Sequence, residues 1–246
     1  MADSSPESTT DYRTSHLARG ADYDDALAAA PFDAYMARIE RELLLQIVPG
    51  LFPGGVPRYL DFACGTGRVT QTIAPLSDVS VGVDVSASML ARAKERCPRA
   101  QFVRHDVTRS PLQLEAFDLV SSFRFLGNAQ PELRTAALRA IHGLLAPEGY
   151  LIVNNHRNPS SLHNVLLRLR GQTDGSDLTL RALDGLMSDT GFEVVRAYGI
   201  GLWVVRHTLH RRAVLDGRWA PRLEPLSRAR GLARLCPDMI VVARRV

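Results

Sequence analysis

Residues Tyr59–Thr70, YLDFACGTGRVT, constrain the fold more than any other stretch. An apolar strand ends in a carboxylate, runs through a turn rich in small residues and enters a helix. Glycines at Gly65 and Gly67 let a ligand approach the backbone of such a turn closely. Seventeen residues after Gly67, a second apolar run, Val81–Val85, carries Asp84 at its end, where open parallel sheets set a carboxylate against ribose hydroxyls. The two features together predict a ligand containing adenosine.

The flanking pattern fits that expectation. Tyr59–Ala63, Val79–Asp84, Gln101–Arg104, Phe117–Ser122 and Tyr150–Asn154 read as strands. Val69–Ala74, Ala87–Cys97 and Pro131–Leu145 carry helical spacing between them. Alternation of this kind gives a parallel sheet covered by helices on both faces, an α/β doubly wound arrangement. Upstream, Phe32, Met36, Ile39, Leu43 and Ile47 form an apolar stripe that predicts a helix packed on the domain. Downstream, Thr179 is placed to cap a helix ending near Thr190, and Phe192–Val195 and Met239–Ala243 read as the last strands. His105-Asp106-Val107 and Ser121-Ser122-Phe123 stand at strand ends beside Asp61 and Asp84, so four strand ends converge on one crevice.

Composition narrows the class. At 246 residues with 46% apolar content, and with no apolar run long enough for a membrane span, the chain is expected to be a soluble cytoplasmic protein. Cys64, Cys97 and Cys236 lie far apart, so neither a disulfide framework nor a cysteine-based zinc site is suggested, and no metal is expected. Of 30 basic residues only Lys94 is lysine, so no single arginine carries weight as a signal. The segment Arg206–Arg234 holds eight arginines against Asp216 and Glu224, a local net charge of +6 within a chain of +4. It reads either as a solvated arginine-rich face or as a cover that attracts an acidic acceptor, with Arg206 as a candidate contact.

A dinucleotide fingerprint would read G-x-G-x-x-G, whereas Ala63, Gly65 and Gly67 give A-x-G-x-G with Thr70 where a third glycine would pack the helix. Taken in order, LDFACGTGRVT, VGVDVSASMLARAK, FVRHDV, FDLVSSFRFLGN and LLAPEGYLIV resemble the class I S-adenosylmethionine-dependent methyltransferases over roughly residues 60–153. The resemblance implies a Rossmann-like, mostly parallel seven-stranded sheet with a C-terminal antiparallel hairpin, and S-adenosyl-L-methionine as cofactor. It implies that Asp61 and the Ala63–Gly67 turn hold the methionine moiety and that Asp84 takes the ribose. Val85 and Met89 would line the adenine pocket, Asp106 would meet the adenine amino group and Val107 would flank the ring. The departure is Ala63, where the family often has glycine. Phe123 and Phe125 would stand near the sulfonium or the acceptor, since aromatic faces favour a cation; a plain core or rim role is the other reading.

The N-terminal SHLARGADYDD, the Phe32–Ile47 helix and GYLIVNNHRN resemble bacterial methyltransferases of glycan or natural-product biosynthesis. The resemblance implies that residues near His16, Arg19 and Tyr23 fold over the cofactor as a lid; the Ser/Thr/Asp-rich start reads as a disordered arm over 1–20, ahead of a methyltransferase domain over 21–246 with an N-terminal helical lid over about 21–50 and a basic insertion over about 206–234. The expected reaction is O-methylation of a small molecule or sugar, with His156 as the base because imidazole titrates near neutrality; alternatively Asn154 and Asn155 orient the acceptor. N-methylation of an amino sugar or small amine, or cofactor binding without catalysis, are the competing readings. Sparse aromatic interleaving argues against nucleic acid as partner.

Overall fold

In the computed structural model, which describes residues 31–169, 171, 178–202, 222, 224–229 and 231–246, the sheet is built around β1 (Val56–Phe62). Its neighbours are β2 (Ser77–Asp84), β3 (Gln101–Arg104), β4 (Phe117–Ser122), β5 (Leu145–His156), β6 (Phe192–Ile200) and β7 (Asp238–Arg245). The order is β3-β2-β1-β4-β5-β7-β6. β1 pairs in parallel with β2 and β4, and β7 enters antiparallel to both β5 and β6. The chain therefore winds outward from β1 to β3, returns to lay β4 on the other side of β1, and opens a crevice at that reversal, at the carboxyl ends of the strands.

The central strands are apolar throughout because both faces are covered. On one face Leu60, Val120, Leu151 and Val241 meet α4 (Pro131–Leu144) through Leu133, Ala137, Leu138 and Ile141, and α6 (Leu180–Ser188) through Leu183 and Met187. On the other, Tyr59, Leu119, Ile152 and Ile240 meet α1 (Pro31–Leu51), whose Met36, Ile39, Leu43 and Ile47 are buried, together with Val69 and Ile73 of α2 (Arg68–Ile73). The period of two in each strand divides these residues between the two cores. Helix α3 (Ala87–Arg96), capped by the Ser86 hydroxyl, and α5 (Leu162–Leu169) complete the described helices used below.

The Thr179 cap forms as expected. The Thr179 hydroxyl accepts from the Ala182 amide at 3.0 Å, Gly191 leaves α6 with φ of +85°, and Pro131 opens α4. Two boundaries differ. β5 extends back to Leu145 because Phe117 pairs with Leu145 before a register shift, and β6 runs on to Ile200 because β7 pairs with it along its length. Of the expected lid, residues 31–51 form a core helix on the sheet. The expected arm over 1–20, His16, Arg19, Tyr23 and Arg206 lie outside the described residues. Among the described residues no helix is long and apolar enough to cross a membrane.

Candidate active site

Each strand end on this side of the sheet delivers a polar group, and the turns between strands and helices fix its direction. Asp61, near the end of β1, is buried; its Oδ2 accepts from the Thr70 hydroxyl at 2.6 Å and its Oδ1 from the Ser121 hydroxyl at 2.9 Å. The Tyr59 hydroxyl lies 2.7 Å from the same Ser121 oxygen. Asp61 thereby joins β1, β4 and the first turn of α2. Burial raises its carboxyl from 3.8 to about 6, against the lowering effect of those hydroxyl donors.

The turn after β1 is held from both sides. Cys64 N donates to Val83 O of β2, and Gly67 N donates to Cys64 O. Arg96 of α3 donates from Nη1 to both the carbonyl and the hydroxyl oxygen of Thr66 at 2.9 Å. Ala63, Gly65 and Gly67 all adopt positive φ, of 54°, 55° and 76°. At the end of β2, Asp84 accepts from Gly65 N at 2.8 Å and from Ser86 N at 2.9 Å, so the second strand end braces the turn of the first. After β3, Asp106 Oδ1 accepts from the amide and hydroxyl of Thr108, and Arg109 lies 3.5 Å from its Oδ2.

These elements enclose a cleft of about 1020 Å³ counted to its open mouth. Of the residues expected at the cofactor, Asp61, Ala63, Gly65, Asp84, Val85, Met89, Asp106, Val107 and Phe123 line it, and so does Phe125 from the acceptor set. Phe123 and Phe125 are also buried, and Phe125 packs edge-on against Phe62 at 5.2 Å between ring centres, so the cleft wall and the core share these rings. Cys64 lines the cleft with its thiol pushed well up, first by burial and then by Asp61 and Asp84, which removes it as a nucleophile near neutrality.

Three expected residues fall elsewhere. Gly67 does not line the cleft; its α-carbon faces Ala93 of α3. Asn155 is buried on the opposite side of β5, donating to the Leu178 carbonyl at 2.6 Å. His156 does not line the cleft either. Its Nε2 lies 3.2 Å from Asn128 Oδ1, and a Cβ built on Gly127 would lie 3.0 Å from its Cε1, so the imidazole is wedged under the loop that follows β4.

Other residues enter the site without having been singled out. Arg68 and Arg124 both line the cleft. Helix α1 supplies a carboxylate to each: Glu40, fully buried, holds Arg68 Nη1 at 2.8 Å, and Asp33 lies 3.4 Å from Arg124 Nη2. Asn154 Nδ2 donates to the second Glu40 oxygen at 2.7 Å, while its Oδ1 accepts from the Arg124 amide at 2.5 Å. Arg124, at φ of 56°, is fixed in the left-handed region by this contact and by the Asn128 side chain donating to its carbonyl.

Residues 60–149 match a methyltransferase domain family. An uncharacterized methyltransferase of Synechocystis sp. is 29% identical over 146 residues, 57% of this chain and 69% of that protein. Against several other curated methyltransferases the chain spans about half the length of the relative. Among solved structures, the magnesium protoporphyrin IX methyltransferase ChlM of Synechocystis with bound S-adenosylhomocysteine superposes with a TM-score of 0.62 at 16% identity, over 95% of this chain and 97% of that one. The N-methyltransferase NodS of Bradyrhizobium japonicum, also with S-adenosylhomocysteine, gives 0.61 at 17% identity over 96% and 98%. At these identities the likeness is one of fold.

Residues 60–149 thus carry a methyltransferase-domain match, and the fold is shared with methyltransferases solved with S-adenosylhomocysteine bound. In this chain Ala63 stands in the left-handed region of the turn, and the Arg68–Glu40 pair joins the start of α2 to α1.

Proposed function

We propose that this protein transfers the methyl group of S-adenosyl-L-methionine to a small-molecule acceptor. The observation that carries the reading is the convergence of Asp61, Asp84 and Asp106, each at a strand end, with the Ala63–Gly65 backbone on one cleft. The donor set fits the cofactor. A Cβ built on Gly65 meets nothing within 4 Å, so the turn leaves open space where a ligand would press on the backbone. When bound, the cofactor supplies an electrophilic methyl group on a sulfonium sulfur.

The residues of the chain then orient and enclose. Asp84 offers carboxylate oxygens to ribose hydroxyls, and Asp106 to the adenine amino group. Val85, Met89 and Val107 give the ring apolar walls. Phe123 and Phe125 provide aromatic faces beside the positive sulfur. The positive charge of residues 206–234 favours an acceptor that carries a carboxylate or phosphate.

A hydroxyl acceptor needs its proton removed, and His156 was the residue expected to do so. With that imidazole held by Asn128 and Gly127, an amine or carboxylate, which presents a lone pair without a base, suits the described residues of the cleft better. The hydroxyl reading is second, supported by the position of His156 one loop away from Phe125. Release of S-adenosylhomocysteine from methyl-labelled cofactor, measured across amines, carboxylates and hydroxyl compounds, tests both. Turnover of an amine or carboxylate that survives His156→Ala is expected. Turnover confined to hydroxyl compounds and abolished by that substitution would overturn the preference. Tight S-adenosylhomocysteine binding that falls in Asp84→Ala supports the cofactor assignment, and binding without turnover of any acceptor favours a cofactor-binding protein.

A further inference from the structure

β4 ends at Ser122, and the next three residues, Phe123, Arg124 and Phe125, all line the cleft. A continued strand would send neighbouring side chains to opposite faces. The chain leaves that alternation at Arg124, whose φ of 56° lies in the left-handed region, where a side chain is strained. Two side chains from different parts of the fold hold it there. Asn154 Oδ1, on β5, accepts from the Arg124 amide at 2.5 Å, and Asn128 Nδ2 donates to its carbonyl at 2.6 Å. Strain kept in place by such contacts is a feature of functional positions. What it directs here is a guanidinium placed in the cleft wall between two aromatic residues.

The charges around the cleft give that guanidinium a task. Asp61, Asp84 and Asp106 bring carboxyl groups to the lining, and Arg68 and Arg124 are its arginines. Arg68 is paired at 2.8 Å with Glu40, which is fully buried, so a ligand that drew it away would leave a carboxylate unpaired in the core. Arg124 meets Asp33, in the first turn of α1, through Nη2 at 3.4 Å, and both side chains are partly exposed, at 17% and 26%. That separation exceeds the roughly 2.7–2.9 Å of a charge-assisted hydrogen bond, and a partly exposed pair of this kind contributes little. A planar fork engages a carboxylate or phosphate more strongly, through two N–H groups at once.

Resting on the methyl-transfer reading, we infer that Arg124 receives an anionic group of the acceptor, a carboxylate or a phosphate, and that Asp33 is the counter-ion with which that group competes. Asn154 and Asn128 act through the Arg124 backbone as positioning residues.

The test is calorimetric titration of protein saturated with S-adenosylhomocysteine, using benzoate and its neutral isostere benzamide as probes, with inorganic phosphate in a parallel arm. Wild type is expected to favour benzoate over benzamide by about ten- to a hundredfold, the range of a charged hydrogen bond. In Arg124→Gln the two bind equally, and Arg124→Lys, which keeps the charge and loses the fork, falls between. Comparing two probes within one protein cancels a general loss of stability. Asp33→Asn removes the competing charge and should tighten benzoate severalfold with benzamide unchanged, a gain that a purely structural ion pair would not give. Phosphate binding in place of benzoate, with the same dependence on Arg124, assigns the position to phosphorylated acceptors.

Wild-type protein that takes neither anion, or a benzoate preference that survives Arg124→Gln, overturns the assignment. Weaker benzoate binding in Asp33→Asn overturns the competition assigned to Asp33. Loss of S-adenosylhomocysteine binding in Arg124→Gln moves this guanidinium to the cofactor and overturns its role toward the acceptor. Wild-type protein that does not bind S-adenosylhomocysteine overturns the cofactor reading itself, an outcome distinct from binding it with no preference for an anion.

Discussion

Gly67 and Ala93 meet where α2 starts beside α3: a Cβ on Gly67 would lie 3.0 Å from the Ala93 Cβ and 3.1 Å from its Cα. Gly67 is thus required by helix packing as well as by its φ of 76°, while Gly65, two residues earlier, is required by the open cleft. The two glycines separate experimentally. Gly67→Ala combines left-handed strain with overpacking and should cost about 2–4 kcal/mol of stability in urea denaturation. Gly65→Ala meets no neighbour and should cost about 1 kcal/mol, yet place a methyl group in the cleft and weaken S-adenosylhomocysteine binding roughly tenfold or more. Gly65→Ala proving the less stable of the two would refute this division.

What the sequence made legible was whatever local rules control. Strand alternation, the carboxylates at strand ends and the small-residue turn suffice to put Asp61, Ala63, Gly65, Asp84 and Asp106 around one cleft. The contribution of α1 was not legible, because Glu40 and Asp33 sit in an ordinary amphipathic helix and meet Arg68 and Arg124 only through the tertiary fold. An arginine-rich composition hid Arg68 even though it directly follows the turn. Asn154 and Asn155 are adjacent in sequence, but the strand period of two sends them to opposite faces, one toward Glu40 and the other toward Leu178. His156 shares the face of Asn154, but the chain between Phe125 and Asn128 covers it, a tertiary arrangement that spacing does not encode.

Ala63 departs from glycine at a φ of 54°, where an alanine costs about 1 kcal/mol. Ala63→Gly relieves that strain and offsets the gain with about 0.4–1 kcal/mol of added freedom in the unfolded chain. The melting temperature should therefore stay near wild type, with cofactor binding retained. Ala63→Val puts a β-branched side chain in the same region and should lose about 2 kcal/mol or more. Thermal denaturation of the pair checks the assignment, and equal melting temperatures would contradict it.

The Asp61 carboxyl is held at about 6 by burial, above its ordinary 3.8. Between those values the folded protein keeps a proton that the unfolded chain releases, so this group makes stability fall as pH rises from about 4 to 6 and adds no further slope above. The change amounts to roughly 3 kcal/mol for an isolated group. Asp61→Asn removes the titration while leaving an oxygen for Thr70 or Ser121. Urea unfolding at intervals from pH 4 to 7 should give a variant whose stability, relative to wild type, improves with pH across that window. Parallel profiles for the two proteins would place the Asp61 carboxyl at its ordinary value in the fold.

Asn154 links α1 to the segment after β4 beside the cleft, since one side chain serves Glu40 and the Arg124 amide. Asn154→Ala leaves a buried carboxylate oxygen and a backbone N–H without this partner, a loss of about 2–4 kcal/mol. It also releases Arg124 from its left-handed backbone, and with it the aromatic wall of Phe123 and Phe125. Asn155→Ala removes a hydrogen bond to the Leu178 carbonyl on the far face and should cost about 1 kcal/mol with S-adenosylhomocysteine affinity unchanged. Denaturation and calorimetry on the two variants give the comparison: Asn154→Ala should be the less stable and the weaker binder. Equivalent binding in both would show that the Glu40–Asn154–Arg124 chain supports the fold without shaping the cleft.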